Sequence, residues 1–371
     1  MNKISSKHYI FLILIVSAIS LRSYSSIFID LGDRDTWVAA IIAGIIYIAF
    51  SFFIFYVCKK TDTFDFKEIF ELTYPKTLSN IFIFLFSLHL FITSVETAAI
   101  QADSIHTNIF LETPVWYSLL LFIIPTAYLI TRRLDTIMIV VIISCAFIYI
   151  SVFIVEIFTF KYIKPQLLLP IMGYGISKKF IYAVLLILGS FASTAITFPF
   201  LKYMDKKNKF LKYTTLTNIF VVFIVVISIA AAIGTFGPLR ACNIYYPEFI
   251  RVQRIQINGF IEFGDLFFIA KTVCIWTLKY TLAVIAIRHI YSNIFTNKIL
   301  FSIIYSILVF VLALPLARHH YLLFDLLKLY KLISLIVFCL LPFVTFLIYY
   351  IKWRKKLIPD IKSKNTNKNI T

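Results

Sequence analysis

Two ionisable side chains lie deep inside long apolar runs: Glu96 in the run 79–106 and Lys279 in the run 262–291. A charge at the centre of a bilayer costs about 2.5 to 3.5 kcal/mol even on lenient scales, so it faces a partner or a water-filled path. Glu96 belongs to a stripe, His89, Thr93, Glu96, Ile100, Asp103 and Thr107, whose three-and-four spacing sets one helix face, with Thr97 and Ser104 beside it. Thr272, Trp276 and Lys279, four and three apart, share another face. A buried lysine needs a carboxylate or must give up its charge. Glu96 is the candidate partner for Lys279 or for Arg22, and Trp276 reads equally as plain helix packing. Asp103, nearer the outer surface, is expected to be wetted there, and Lys271 to snorkel.

The chemistry these residues suggest is binding of a small polar ligand rather than covalent catalysis. No nucleophile pairs with a base. The five cysteines, Cys58, Cys145, Cys242, Cys274 and Cys339, show no paired spacing, and Gly173-x-Gly175 reads as a turn rather than a phosphate cradle. His319 and His320 are adjacent, do not share a helix face and are expected to be solvated rather than metal-bound. No catalytic residue, metal or cofactor is expected, and the chain is not expected to be an enzyme.

Membrane helices must carry these residues. The 371 residues are 61% hydrophobic and 15% charged, with a mean hydropathy of +0.91, far from a soluble domain. About 20 apolar residues span the hydrocarbon layer. Ten such runs occur, at 8–29, 36–58, 79–106, 114–131, 134–159, 180–203, 212–237, 262–291, 298–317 and 329–351. An all-α integral membrane protein is predicted, because lipid-exposed backbone demands helices or a closed barrel and the runs are too long for barrel strands. The first run, behind Lys3 and Lys7, resembles a signal peptide with "SAIS" as its processing site, but nine further runs make a retained helix the expectation.

Basic residues locate the two sides. Assigned to alternate loops, 22 Lys and Arg fall on the side of both termini and 10 on the other. Both termini are therefore predicted to be cytoplasmic, with 352–371 a basic cytoplasmic tail. The formal net charge of +18 is read as this asymmetry plus attraction to anionic lipid, not as nucleic-acid binding. Residues 1–371 form a single membrane domain, with five spans in 8–159 and five in 180–351. An odd number per half inverts the second half relative to the first, the condition for a five-plus-five inverted repeat whose first helices are broken at the midplane.

Both first helices are unusual. The first holds "SLRSYSS" at 20–26 and the sixth holds "GSFASTAITFP", with Gly189, Ser190, Ser193 and Thr194 ahead of Pro199. Small and hydroxyl side chains lower the cost of unwinding, although they also let two helices pack closely. Arg22 lies about 21 Å along the helix from His8, so snorkelling and a serine-softened break with the cation facing a site both account for it. The predicted ligand site comprises Ser20, Arg22, Ser23, Glu96, Ser190, Ser193, Thr194, Thr272, Trp276 and Lys279, between the first, third, sixth and eighth helices. Arg22 would meet a ligand carboxylate, and Glu96 would bind an ammonium or balance Lys279.

The loops carry a resemblance. "GDRDTWVAAIIAG" at 32–44, "LETP" at 111–114 and "YYPEFIRVQRIQINGFIEFGDLFFIAKTVCIW" at 245–276 resemble stretches of the B subunits of bacterial spore germinant receptors, of the GerAB and GerKB type. The resemblance runs from about residue 8 to 350, although the chain lacks the glycine that many members carry in the first helix. It implies the ten-helix, five-plus-five fold of the amino acid, polyamine and organocation transporter superfamily. It also implies a sensor in the inner membrane of the spore that binds an amino acid, sugar or nucleoside germinant and acts with receptor A and C subunits. Gly32, Asp35, Trp37, Thr113, Pro114, Tyr246, Pro247, Glu262 and Asp265 fall on its motif positions and are expected to hold structure and subunit contacts. The alternatives are a proton-coupled amino acid transporter, with Glu96 or Lys279 carrying the proton, and an ion or water conduit opened by partners.

Overall fold

The structure is a computed structural model that describes residues 4–17, 19–173, 175–205, 209–257, 261–262, 264–292 and 294–357. Among these, nine helical segments are long and apolar enough to cross a membrane, and Val115–Thr131 is a shorter apolar tenth. The basic tail lies mostly outside the described residues, beyond Leu357.

The first span is broken. It comprises α1 (Ser6–Ser17), α2 (Ile19–Ser23) and α3 (Ser26–Gly32), with a turn at Tyr24 and Ser25. Serine hydroxyls along this span bond both to their own helix and beyond it. Ser17 Oγ donates to the Ile13 carbonyl and Ser26 Oγ to the Tyr245 carbonyl. The second span, α4 (Thr36–Thr61), is followed by the short α5 (Phe66–Thr73), started by the Asp65 side chain accepting from the Lys67 N–H. Then come α6 (Lys76–Asn108), α7 (Val115–Thr131) and α8 (Leu134–Thr159).

The sixth span begins as α9 (Lys178–Phe191), capped by Ser177, and tightens into a 3₁₀ segment from Ala192 to Tyr203 that contains Pro199. A 3₁₀ run of this length is uncommon, and proline, with no N–H to offer the ladder, contributes to it. Gly189 is required where α9 meets the tenth span: a Cβ there would run into the Lys331 backbone carbonyl.

α10 (Phe210–Phe236), the short α11 (Pro238–Cys242) and α12 (Pro247–Val252) lead to a hairpin of β1 (Gln256–Ile257) and β2 (Ile261–Glu262). It is antiparallel, with Gln256 opposite Glu262 and Ile257 opposite Ile261. This pair is a local exception to an otherwise helical chain.

The last spans are α13 (Gly264–Ile290), α14 (Lys298–Arg318) and a long helix made of α15 (His320–Ser334), a π segment (Leu335–Leu340) and α16 (Leu341–Arg354). The tenth span thus starts nine residues before the predicted 329. Asp325 and Lys328 interrupt the apolar run, but on the helix Lys328 turns outward to pair with Asp30 at 2.8 Å, while Phe324, Leu327 and Lys331 form the buried face. The sixth and eighth spans are the most enclosed and the ninth the least. The functional polar residues therefore gather among α2, α6, α13 and α15.

Candidate functional site

Glu96 organises the centre. Its Oε1 accepts from Tyr24 Oη at 2.6 Å, and its Oε2 accepts from Lys279 Nζ at 2.9 Å and Thr97 Oγ1 at 3.2 Å. Lys279 Nζ also donates to Ser20 Oγ at 2.9 Å. Ser20, in the turn of helix before the break, and Tyr24, at the break itself, both reach this cluster. A second lysine, Lys331 of α15, is completely buried, with Nζ 3.6 Å from Glu96 Oε1, beyond hydrogen-bond length.

Aromatic rings surround the ammonium groups. Tyr24 and Trp276 stack at 6.3 Å with 15° between planes. Lys279 Nζ lies 4.9 Å from the Trp276 ring, and Lys331 Nζ lies 4.5 Å from Tyr330 and 5.3 Å from Tyr24. Ring faces of this kind stabilise a desolvated cation. Hydrogen bonds fix the seam between α6 and α15: Thr93 meets the Tyr330 hydroxyl at 2.9 Å and His89 Nε2 meets Ser334 Oγ at 2.8 Å. Beside Glu96 and Tyr330 is a cavity of about 200 Å³, lined otherwise by His89 and aliphatic side chains that include Ile92, Leu323 and Leu327.

A second charged cluster lies nearer the end of the bundle that carries the 237–263 loop. Arg22 pairs with Glu248 and lies 3.7 Å from Glu156; Arg251 donates to Glu156 at 2.6 Å. Lys271 Nζ sits 2.8 Å from Glu248, an ion pair without the alignment of a hydrogen bond. Burial pushes the Glu248 carboxyl up, but Arg22 and then Lys271 outweigh it and hold it at about 2. Arg22 therefore joins Glu248, not Glu96. Lys271 does not snorkel: it is buried, because the loop folds α12 back over it.

Asp103 is likewise not wetted, whereas His319 is exposed as expected and His320 is partly exposed but paired with Asp103. Asp103 is 1% exposed, accepts from the Tyr246 hydroxyl and lies 2.8 Å from His320 Nδ1. Burial first and the Asp103 charge second raise the Tyr246 hydroxyl well above its ordinary pKa. The loop element and the early start of α15 supply these partners, and neither is visible in local spacing.

The hydroxyls of the sixth span go elsewhere. Ser190 and Ser193 bond to the Leu186 and Ser190 carbonyls of their own helix. Thr194 lies 2.7 Å from both Ser17 and Tyr47, at the head of a chain that continues through Asn218 to Ser51. Thr272 and Ser23 are buried. Of the predicted site residues, the structure brings together Ser20, Glu96, Trp276 and Lys279.

A family model described as "Spore germination protein" matches residues 3–321. The chain belongs to the spore germination protein family. No curated protein matches it. Solved structures share the fold at low identity. MhsT in complex with L-phenylalanine is 12% identical with a TM-score of 0.65, over 93% of this chain and 89% of that one. A mutant of the Eremococcus coleocola manganese transporter is 11% identical with a TM-score of 0.63, over 91% and 77%. Mhp1, a nucleobase-cation-symport-1 family transporter, in a closed conformation with bromovinylhydantoin bound, is 13% identical with a TM-score of 0.58, over 97% and 94%. This spore germination protein is thus a transporter-like integral membrane protein.

The motif residues of this family member hold loops and helix ends. A Cβ on Gly32 would meet the Thr36 side chain. Asp35 Oδ1 accepts from the Met172 N–H at 2.8 Å, and the Thr113 carbonyl lies 2.9 Å from His106 Nδ1. Pro114 precedes α7, Pro247 opens α12, Glu262 closes the hairpin and Asp265 lies in the first turn of α13. Trp37 is partly buried beside the core.

Sequence reasoning passed over Tyr24, Lys331, Tyr330, Glu156, Glu248 and Arg251. Lys331 had a usable signal: 32 of the 36 basic residues fall in loops, in the tail or at the ends of spans, leaving Arg22, Lys271, Lys279 and Lys331 within the apolar runs. Glu248 had none, since only the folded loop brings it over Arg22.

Proposed function

We propose that this chain is the membrane subunit of a spore germinant receptor and binds a small nutrient at the Glu96 cluster, beside the break in the first helix. The observation that carries this reading is the meeting of Glu96, Lys279, Ser20, Tyr24 and Trp276 at that break, inside a transporter-like fold of the spore germination family. Buried ionisable groups at membrane depth mark ligand or ion pathways, and broken helices line such sites in transporter folds. The L-phenylalanine bound by MhsT supports an amino-acid-sized ligand.

In this reading the two halves, 8–159 and 180–351, rock as inverted repeats, with both termini cytoplasmic in the inner membrane of the spore. A ligand shifts that equilibrium by its differential affinity for the two states, and receptor A and C subunits transmit the shift. Deleting the gene in the parent spore former and scoring dipicolinate release against amino acids, sugars and nucleosides tests it. Loss of response to one class supports the reading, and an unchanged response to all refutes it.

The fold of its structural neighbours also favours a second reading, secondary transport by the chain alone. Labelled-solute flux into vesicles separates the two: saturable, proton-dependent uptake without partner subunits would establish transport and sink the receptor reading.

A further inference from the structure

The central site has more positive charge and more donors than it can use. Glu96 is its one carboxylate, and the two lysines at that carboxylate are Lys279 and Lys331. Glu96 Oε1 already accepts from Tyr24, and Oε2 from Lys279 and Thr97. Lys331 Nζ has no hydrogen-bond partner although it is completely buried, and neither has the buried Trp276 indole N–H. A buried ammonium that shares its carboxylate with a second lysine and makes no hydrogen bond is costlier than one fully paired.

We infer that the ligand is a small organic carboxylate of net negative charge, with Lys331 as its counter-ion. This rests on the receptor reading and names the ligand class of that same site. A carboxylate supplies acceptor oxygens for Lys331 and brings the charge of Glu96, Lys279 and Lys331 to zero. An ammonium would instead meet Glu96 oxygens that already accept from Tyr24, Lys279 and Thr97, and it would add to the positive surplus. The cavity between Ile92, Leu323 and Leu327 gives an apolar substituent a place beside the charged head. The role that sequence assigned to Arg22 therefore passes to Lys331, since Arg22 is held by Glu248.

The test uses the full chain in lipid nanodiscs and equilibrium binding of matched pairs: phenylacetate with phenylacetamide, and L-glutamate with L-glutamine. The acid of at least one pair should bind at least about 30-fold more tightly than its amide, the low end of what losing one partner of a buried charge pair costs. Lys331→Gln should shrink that preference to about threefold or less, and Lys331→Arg should keep most of it. Equal binding of acid and amide in the wild type overturns the inference without any variant, as does an acid preference that survives Lys331→Gln. Binding of neutral inosine or glucose that is lost in Trp276→Ala but intact in Lys331→Gln would overturn the carboxylate assignment while leaving the receptor reading in place. No binding by any compound, with germination unchanged by gene deletion, would overturn both.

Discussion

Replacing Glu96 by Gln should destabilise the protein far more than replacing Lys279 by Met, although the two form one ion pair. At an effective dielectric constant near 20, a contact of 2.9 Å amounts to about 6 kcal/mol of attraction. The 3.6 Å contact with Lys331 amounts to about 5 kcal/mol before desolvation. Glu96→Gln removes both and strands two buried ammonium groups, so the net loss should reach about 3 to 5 kcal/mol, the usual cost of breaking a buried pair. Lys279→Met leaves Lys331 poised to take over Glu96, and about 1 to 2 kcal/mol should be lost, within the usual range for single substitutions. Adding Lys331→Met to the Lys279→Met and Glu96→Gln changes should then recover stability, since no buried charge remains in this cluster. Reversible unfolding in mixed micelles, followed by tryptophan fluorescence, measures these differences. Equal losses for Glu96→Gln and Lys279→Met, or a Glu96→Gln variant within about 0.5 kcal/mol of wild type, the usual spread of a neutral surface change, would refute the shared-carboxylate argument.

Two further outcomes follow from the packing. Glu248 is held at about 2 against an ordinary 4.5, so its stabilisation is complete above about pH 4.5 and is lost as pH falls toward 2. Hydrogen exchange of the α12 amides should therefore be constant from pH 8 to 5 after correction for intrinsic rates. It should rise below about pH 4, and Glu248→Gln should raise it at every pH and remove the step. Gly189→Ala drives a methyl into the Lys331 carbonyl, whereas Gly44→Ala meets only the Val222 side chain. The first should cost about 1 to 3 kcal/mol as overpacking against backbone and blunt the germination response by displacing α15. The second should do markedly less, and equal effects in the same unfolding and dipicolinate assays would count against this account of the α9–α15 contact.

The legible part of the fold was whatever repeats at helical period inside one segment. Hydropathy located the helical runs, and the serines of 20–26 and the glycine and hydroxyls before Pro199 marked the two irregular spans. The stripe on α6 pointed to Glu96, and the spacing of Trp276 and Lys279 pointed to its partner helix. Contacts set by how segments cross were not legible. Asp103 looked solvent-facing because its partners, Tyr246 and His320, arrive from a loop and from a helix whose first two turns looked too polar to belong to it. Lys271 looked free to snorkel because nothing local announces that α12 folds over it with Glu248.

The two charged clusters are not independent, because the same two elements build both. Lys271 and Lys279 stand eight residues apart on α13, about 12 Å along the axis, one holding Glu248 and the other Glu96. On α2, Ser20 accepts from Lys279 while Arg22, two residues on, holds Glu248. A ligand carboxylate that drew Lys279 away from its present contacts would therefore pull on Ser20, and Ser20 lies two residues from Arg22 and its partner in the loop. Coupling of this kind needs an element with two discrete arrangements rather than a chain of touching residues. The turn of helix just ahead of Tyr24 and Ser25, tied through Ser20 to Lys279 and through Arg22 to Glu248 of the loop, is the part of this fold best placed to be that element.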